Sequence, residues 1–197
     1  MLFYSKVGKL HLRERLLSQV RWRGDEMVLD VGCGRGLLLV GAARRLTTGK
    51  ATGVDIWVPG AVSGNRPEAV EENASRDGVR DRVEVKHGDA RQLPFADASF
   101  DIVVSNLVLH ELKTGADRKQ MAREMVRVLK PGGRLALVDF IFTGECVQVL
   151  RRCGLSDVQR LRDGVLRFWF TAILSLGTTQ LYQVVGTKPP EDPLATR

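Results

Sequence analysis

The residues best placed for chemistry gather around one stretch, Val28-Leu29-Asp30-Val31-Gly32-Cys33-Gly34-Arg35-Gly36. Asp30 is a lone carboxylate among apolar Val28, Leu29 and Val31, and three glycines follow at alternate positions. An apolar run, Leu37-Leu38-Leu39-Val40, comes next. This order reads as a buried parallel strand, a tight turn and a helix. At Gly32 and Gly34 the missing side chains let the main chain approach a ligand, and the helix start offers free N–H groups. A nucleotide-like ligand suits such a turn. A second apolar run, Ala51-Thr52-Gly53-Val54, ends in Asp55, followed by Ile56 and Trp57. A carboxylate there can receive ribose hydroxyls, and the indole beside it can stack on a base.

Two cofactor classes share this geometry, dinucleotides and S-adenosylmethionine (SAM). The dinucleotide fingerprint is Gly-x-Gly-x-x-Gly. This turn runs Gly32-x-Gly34-x-Gly36, with Asp30 just before it. Taken in order, five segments resemble the motifs of the class I SAM-dependent methyltransferases. Residues 28–36 resemble the first motif, and Asp55 the acidic end of the second strand. His87-Gly88-Asp89-Ala90, with Leu93-Pro94-Phe95 after it, resembles the third motif, whose acid contacts the adenine amino group. Phe100 to Asn106 resembles the fourth strand, and Leu129-Lys130-Pro131-Gly132-Gly133-Arg134-Leu135 the turn into the fifth. The resemblance covers roughly residues 4–188. It implies an α/β fold: a Rossmann-like three-layer sandwich around a seven-stranded, mostly parallel sheet with the last strand antiparallel. It also implies SAM as methyl donor and S-adenosylhomocysteine as product. The candidate cofactor residues are Asp30, Gly32, Cys33, Gly34, Asp55, Ile56, Trp57, Asp89, Ala90 and Asn106. In similar methyltransferases a tyrosine just before the N-terminal helix can reach the methionine carboxylate. That adds Tyr4, whose plain alternative is a frayed terminus.

The end of the fourth strand bears on the reaction. Methyltransferases of nucleobase amines commonly carry Asn/Asp-Pro-Pro-Tyr/Phe there. This chain has Asn106-Leu107-Val108-Leu109, then His110 and Glu111. The missing prolines and aromatic count against base-amine methylation. The arrangement is more similar to the subgroup acting on quinones, lipids and other small molecules. The sulfonium of SAM is already electrophilic, so the protein mainly aligns methyl and nucleophile and excludes water. A base is needed only if the acceptor must lose a proton. His110 is the candidate, because imidazole titrates near neutral pH; the plain alternative is a structural histidine bonded to backbone. The expected acceptor is a small or lipid-like molecule. Protein or RNA methylation, or SAM binding without catalysis, are the alternatives.

These residues need elements to position them. Val7, Leu10, Leu16, Leu17 and Val20 recur at helical spacing and predict an amphipathic helix over residues 6–22. Further helices are predicted over 37–46, over 67–76 with Pro67 in the first turn, and over 145–153, stopped by Gly154. Another, over 115–130, carries Met121, Ala122, Met125, Val126 and Leu129 as a core stripe. Val83-Glu84-Val85-Lys86 alternates as a strand near a sheet edge. Strands are also expected over 101–106, 134–140 and 180–188. Residues 57–66 form a connection longer than a minimal one, in which Asn65 is a polar contact or a cap. The apolar segment 165–176 reads as an edge strand, alone or followed by a lid or dimer patch, and is too short to span a bilayer. Residues 189–197 read as a disordered tail.

A chain of 197 residues fits one domain, taken as 1–188, with 1–24 as its N-terminal helix region. No apolar window reaches about 18 residues and no secretory signal is evident. The expected location is the cytoplasm, although similar catalytic domains sometimes follow N-terminal hydrophobic helices. Cys33, Cys146 and Cys153 are odd in number and lack Cys-x-x-Cys spacing. That argues against a disulfide framework or a zinc site, and no His/Cys cluster suggests a metal. The net charge is +7, with six basic residues against one acid in 1–24. Such a balance favours anionic partners. Trp22, between Arg21 and Arg23, is the one aromatic set between these charges, short of the interleaving that a single-strand binding surface requires. Nucleic acid or peripheral contact with an anionic membrane therefore stays open but unfavoured. A monomer and a homodimer are equally compatible.

Overall fold

Met27–Val31 forms strand β1, whose apolar residues face both ways: Val28 joins one core, Leu29 and Val31 the other. A strand buried on both faces belongs in the middle of a parallel sheet. The computed structural model describes residues 2–58, 64–162 and 180–191, with side chains from residue 8 onward. Around β1 the elements run α1 (Leu2–Leu17), α2 (Leu37–Ala43), β2 (Lys50–Asp55), α3 (Pro67–Arg76), β3 (Val83–His87), β4 (Phe100–Asn106), α4 (Gly115–Val128), β5 (Leu129–Asp139), α5 (Thr143–Arg152), β6 (Ser156–Arg162) and β7 (Tyr182–Thr187).

The seven described strands lie in the order β3-β2-β1-β4-β5-β7-β6. Parallel pairing runs from β3 to β5, and β7 is antiparallel to both β5 and β6. β3 lies at an edge, as its alternating residues predict. Leu16, Leu17, Leu38, Leu39, Val70 and Ala74 bring α1, α2 and α3 onto one face. Met121, Met125, Cys146 and Leu150 bring α4 and α5 onto the other. This is the three-layer sandwich with the chain reversing direction of travel between β1 and β4, where α/β sheets bind ligands beyond the strand ends.

Several boundaries differ from those read off the sequence. α1 stops at Leu17, whose carbonyl accepts from Trp22 Nε1 at 2.8 Å. It also begins at Leu2, so Tyr4 lies inside the helix rather than ahead of it, and its side chain lies outside those described. α2 ends at Ala43 because the amides of Arg45 and Leu46 bond three residues back, tightening the last turn. The sheet also contains β6, which the sequence pattern does not predict; the apolar segment 165–176 lies outside the described residues. β6 has only Val158 fully buried, so its composition is polar and hides the strand. Among the described residues, no helix is long and apolar enough to cross a membrane, and no group of His, Cys, Asp and Glu could hold a metal ion.

Candidate active site

The glycine loop is held against β2 by its own main chain. The amides of Gly32 and Cys33 both donate to the Val54 carbonyl, at 2.8 and 3.1 Å. Gly32 has φ +70, and the Val108 side chain fills the place a Cβ would take. Gly34 has φ +52 and open space where its Cβ would be. Its amide donates to Asp55 Oδ2 at 2.9 Å, and the Trp57 amide donates to Asp55 Oδ1 at 2.9 Å. Asp55 therefore stands at the end of β2, oriented by two amides and half-buried. Trp57 itself is held at φ 52 and packs partly against the core, while Ile56 beside it is exposed.

Asp30 is fully buried rather than facing a ligand across open space. Its Oδ2 accepts the Leu39 amide at 2.9 Å, so a strand residue satisfies a free N–H in the first turn of α2. Its Oδ1 has no partner among the described residues, and neither has Oδ1 of Asn106. Burial pushes the Asp30 carboxyl up to about 7, with the nearby Asp55 charge adding to the rise. Asn106 follows Ile102 and Val104 at alternate positions of β4, and both pack in the core that also holds Val28. Asp30 and Asn106 thus share one face of neighbouring strands below the loop. Two buried acceptors without donors, beside an open glycine, fit a ligand that bears a cationic amine. The Cys33 side chain is buried in the same core and burial pushes its thiol up, so only its main chain can meet a ligand.

On the far side of β2, Gly88 is tied to the Asp55 carbonyl and Asp89 and Ala90 follow at the end of β3. Asp89 is gripped by Arg91, whose Nε lies 3.0 Å from both carboxylate oxygens and whose Nη2 lies 2.6 Å from Oδ2. Arg91 also reaches Asp117 at 3.2 Å. The guanidinium holds the Asp89 carboxyl below its ordinary value. Behind this loop, Glu124 accepts the Leu93 amide and Arg127 donates to the carbonyls of Leu93 and Phe95. Asn65, in the connection after β2, has an Oδ1 without a partner among the described residues.

His110 sits in a short 3-10 turn, Leu109–Glu111, just past β4. Its Nδ1 is 3.2 Å from Oδ2 of Asp139, and its Nε2 is 3.1 Å from Glu111 Oε1. Asp139 is completely buried at the end of β5, and its other oxygen accepts the Phe140 amide at 2.7 Å. The Phe140 ring packs on the imidazole with centroids 4.6 Å apart. Phe142 is held at φ 61, half-exposed, with the Arg118 guanidinium 3.6 Å over its ring. The sequence marks Asp139 only as part of the strand expected over 134–140. Its position at a strand end across from His110 was the available signal. Arg91, Glu124 and Arg127 carry no motif and emerge only from the fold.

The chain matches the family model for a methyltransferase domain over residues 29–137. It is 37% identical over 154 residues to 27-O-demethylrifamycin SV methyltransferase of Amycolatopsis mediterranei, covering 77% of this chain and 50% of that protein. It is 32% identical over 130 residues to demethylmenaquinone methyltransferase of Lactiplantibacillus plantarum, covering 66% of this chain and 51% of that one. The chain thus spans about half the length of these curated relatives. Among solved structures, the cyclase SpnF superposes with a TM-score of 0.72 at 19% identity, over 92% of this chain and 82% of that one, a likeness of fold. The chain belongs to the class I SAM-dependent methyltransferases. Its cofactor is S-adenosylmethionine.

Proposed function

We propose that this chain transfers a methyl group from SAM to a hydroxyl oxygen of a small, largely apolar acceptor, with His110 as general base. The observation that carries this reading is the His110–Asp139 pair beyond the ends of β4 and β5. A hydroxyl must shed its proton as it is methylated. Asp139 at Nδ1 favours the tautomer that keeps its proton there and turns a lone pair at Nε2 outward. In this structure the exposed Glu111 carboxylate lies 3.1 Å from Nε2, a contact that needs a proton on that nitrogen, so Glu111 must swing away and Nε2 give up that proton before an acceptor hydroxyl takes its place. Phe140 and Phe142 supply apolar walls beside it.

Bound SAM supplies an electrophilic methyl group on its sulfonium sulfur. Asp55 would take the ribose hydroxyls with lone pairs left by its two amide bonds. The main chain at Gly32, Cys33 and Gly34 would border the methionine portion, whose amine can donate to Oδ1 of Asp30 and Asn106. Asp89, Ala90, Ile56 and Trp57 would surround the adenine, and Tyr4 would approach the methionine carboxylate. The substrates in the relatives' names, 27-O-demethylrifamycin SV and demethylmenaquinone, are small molecules and support the acceptor class.

Two measurements test this. Calorimetry should find SAM bound roughly tenfold or more weakly by Asp55→Ala, the loss of hydrogen bonds to a charged group. Methyl-labelled SAM offered with a panel of hydroxylated small molecules should place label on oxygen. His110→Ala should then lower kcat by roughly 10²–10⁴ and abolish the rise of rate with pH, while SAM affinity stays within about twofold. Label on carbon, or full turnover by His110→Ala, would overturn the assignment of the base.

A further inference from the structure

The N-terminal ends of the strands, opposite the cofactor loop, carry a second charged recess. The connection between α1 and β1 crosses this edge and brings Arg21 and Arg23 over it. Arg134 enters from β5. It lies across from Ile102 and two residues before Ala136, both in the core that α1 covers. Its side chain is half-buried, and it lines two adjoining cavities of about 230 and 240 Å³. The first is walled by Arg21, Arg23, Arg134, Glu26, Asp101 and Gly132. A single water needs about 30 Å³, so the recess has room for a polyatomic ion.

The carboxylates around it are already committed. Glu26 accepts the amides of Arg23 and Gly24. Asp101 accepts the Met27 amide and Lys130 Nζ, and lies 4.0 Å from Arg23. Asp157 lines the adjoining cavity but is not within ion-pair distance of Arg134. Among the described residues, neither the Arg21 nor the Arg134 side chain has a hydrogen-bond or ion-pair partner. A half-buried guanidinium without an acceptor is a costly arrangement that an anion relieves.

We infer that this recess binds a phosphoryl group of a small molecule. A planar guanidinium pairs two N–H donors with two phosphate oxygens, and a phosphoryl group has oxygens enough for two or three such forks. A lone carboxylate would saturate one. The recess, lined by Ile102, is separated from Asn106 by four residues of β4, about 13 Å at 3.3 Å per residue. It is therefore an accessory site, independent of the transfer reaction.

The test is calorimetric titration with inorganic phosphate in an amine buffer, with chloride holding ionic strength constant. Wild type should bind one phosphate saturably. Arg134→Gln and Arg21→Gln should each weaken that binding about tenfold or more, with SAM affinity unchanged. Arg21 is exposed, so its variant carries the test if Arg134→Gln does not fold. Absence of saturable phosphate binding to wild type, or equal binding by the folded variants, overturns the inference. So does tight binding of a short single-stranded RNA by a wild type that ignores phosphate, which would make the surface a nucleic-acid contact.

Discussion

Asp30 concentrates the chemistry of a single buried group. Its carboxyl titrates near 7 in the fold against an ordinary 3.8. Between those values the folded chain keeps a proton that the unfolded chain has released. Stability should therefore fall as pH rises from about 4 to about 7 and level off above. The full difference is worth roughly 4 kcal/mol. Asp30→Asn keeps an acceptor for the Leu39 amide and loses the titration. Urea unfolding at a series of pH values should show the slope in wild type and its loss in the variant. Arg91 makes a different claim on its neighbour. It grips both oxygens of Asp89 from an exposed position, so it competes with an adenine amino group for the same lone pairs. Exposed pairs are worth at most about 1 kcal/mol, so Arg91→Ala should tighten SAM binding by up to about fivefold, measured by calorimetry. Weaker binding would instead make Arg91 the group that orients Asp89.

At the scale of elements, α4 does two jobs. Its buried stripe of Met121, Ala122, Met125 and Val126 anchors one face of the sheet. Its polar side holds the Asp89 loop through Glu124 and Arg127. The helix is started by Thr114, whose Oγ1 accepts the Asp117 amide at 3.0 Å. Thr114→Ala should cost about 1 kcal/mol of stability, read from chemical denaturation. The elements that sequence reveals are those whose burial is periodic or whose turns carry glycine and proline: β1 and its loop, α3 behind Pro67, the methionine stripe of α4, β3 with its alternation. β6 escapes because an edge strand with one buried residue, Val158, leaves no apolar signature. The same reasoning explains the site. Asp30, Asp55 and Asp89 stand at strand ends within recognisable spacing. Asp139 acquires meaning only when β5 is laid beside β4 and faces His110 across the gap. Arg91 and Arg127 act through side-chain reach over loops, which no spacing rule encodes.

The whole molecule is closed by its last described strand. β7 sits between β5 and β6, and among the described residues β6 pairs with no other strand. Just past β7, Lys188 sends its ammonium under the end of α4 and donates to the carbonyls of Val126 and Leu129. Burial holds that lysine below its ordinary value. Lys188→Ala would leave two carbonyls without their donor, at about 1–3 kcal/mol. The loss should appear as one cooperative shift of the whole unfolding curve, seen alike by far-ultraviolet circular dichroism and tryptophan fluorescence.

That insertion also sets a timetable for synthesis. A ribosome delivers β1 to β5 and their helices first, and these can pair with one another as they emerge. β6 follows, but β7, its neighbour among the described strands, has not yet been made. Until residues 182–187 leave the exit tunnel, β5 presents a bare hydrogen-bonding edge from Arg134 to Asp139, the stretch that ends in the residue supporting His110. Open apolar edges of this kind invite pairing between nascent chains. Quality control during translation should therefore matter most for this protein in the seconds before β7 slots in, long before any cofactor is met.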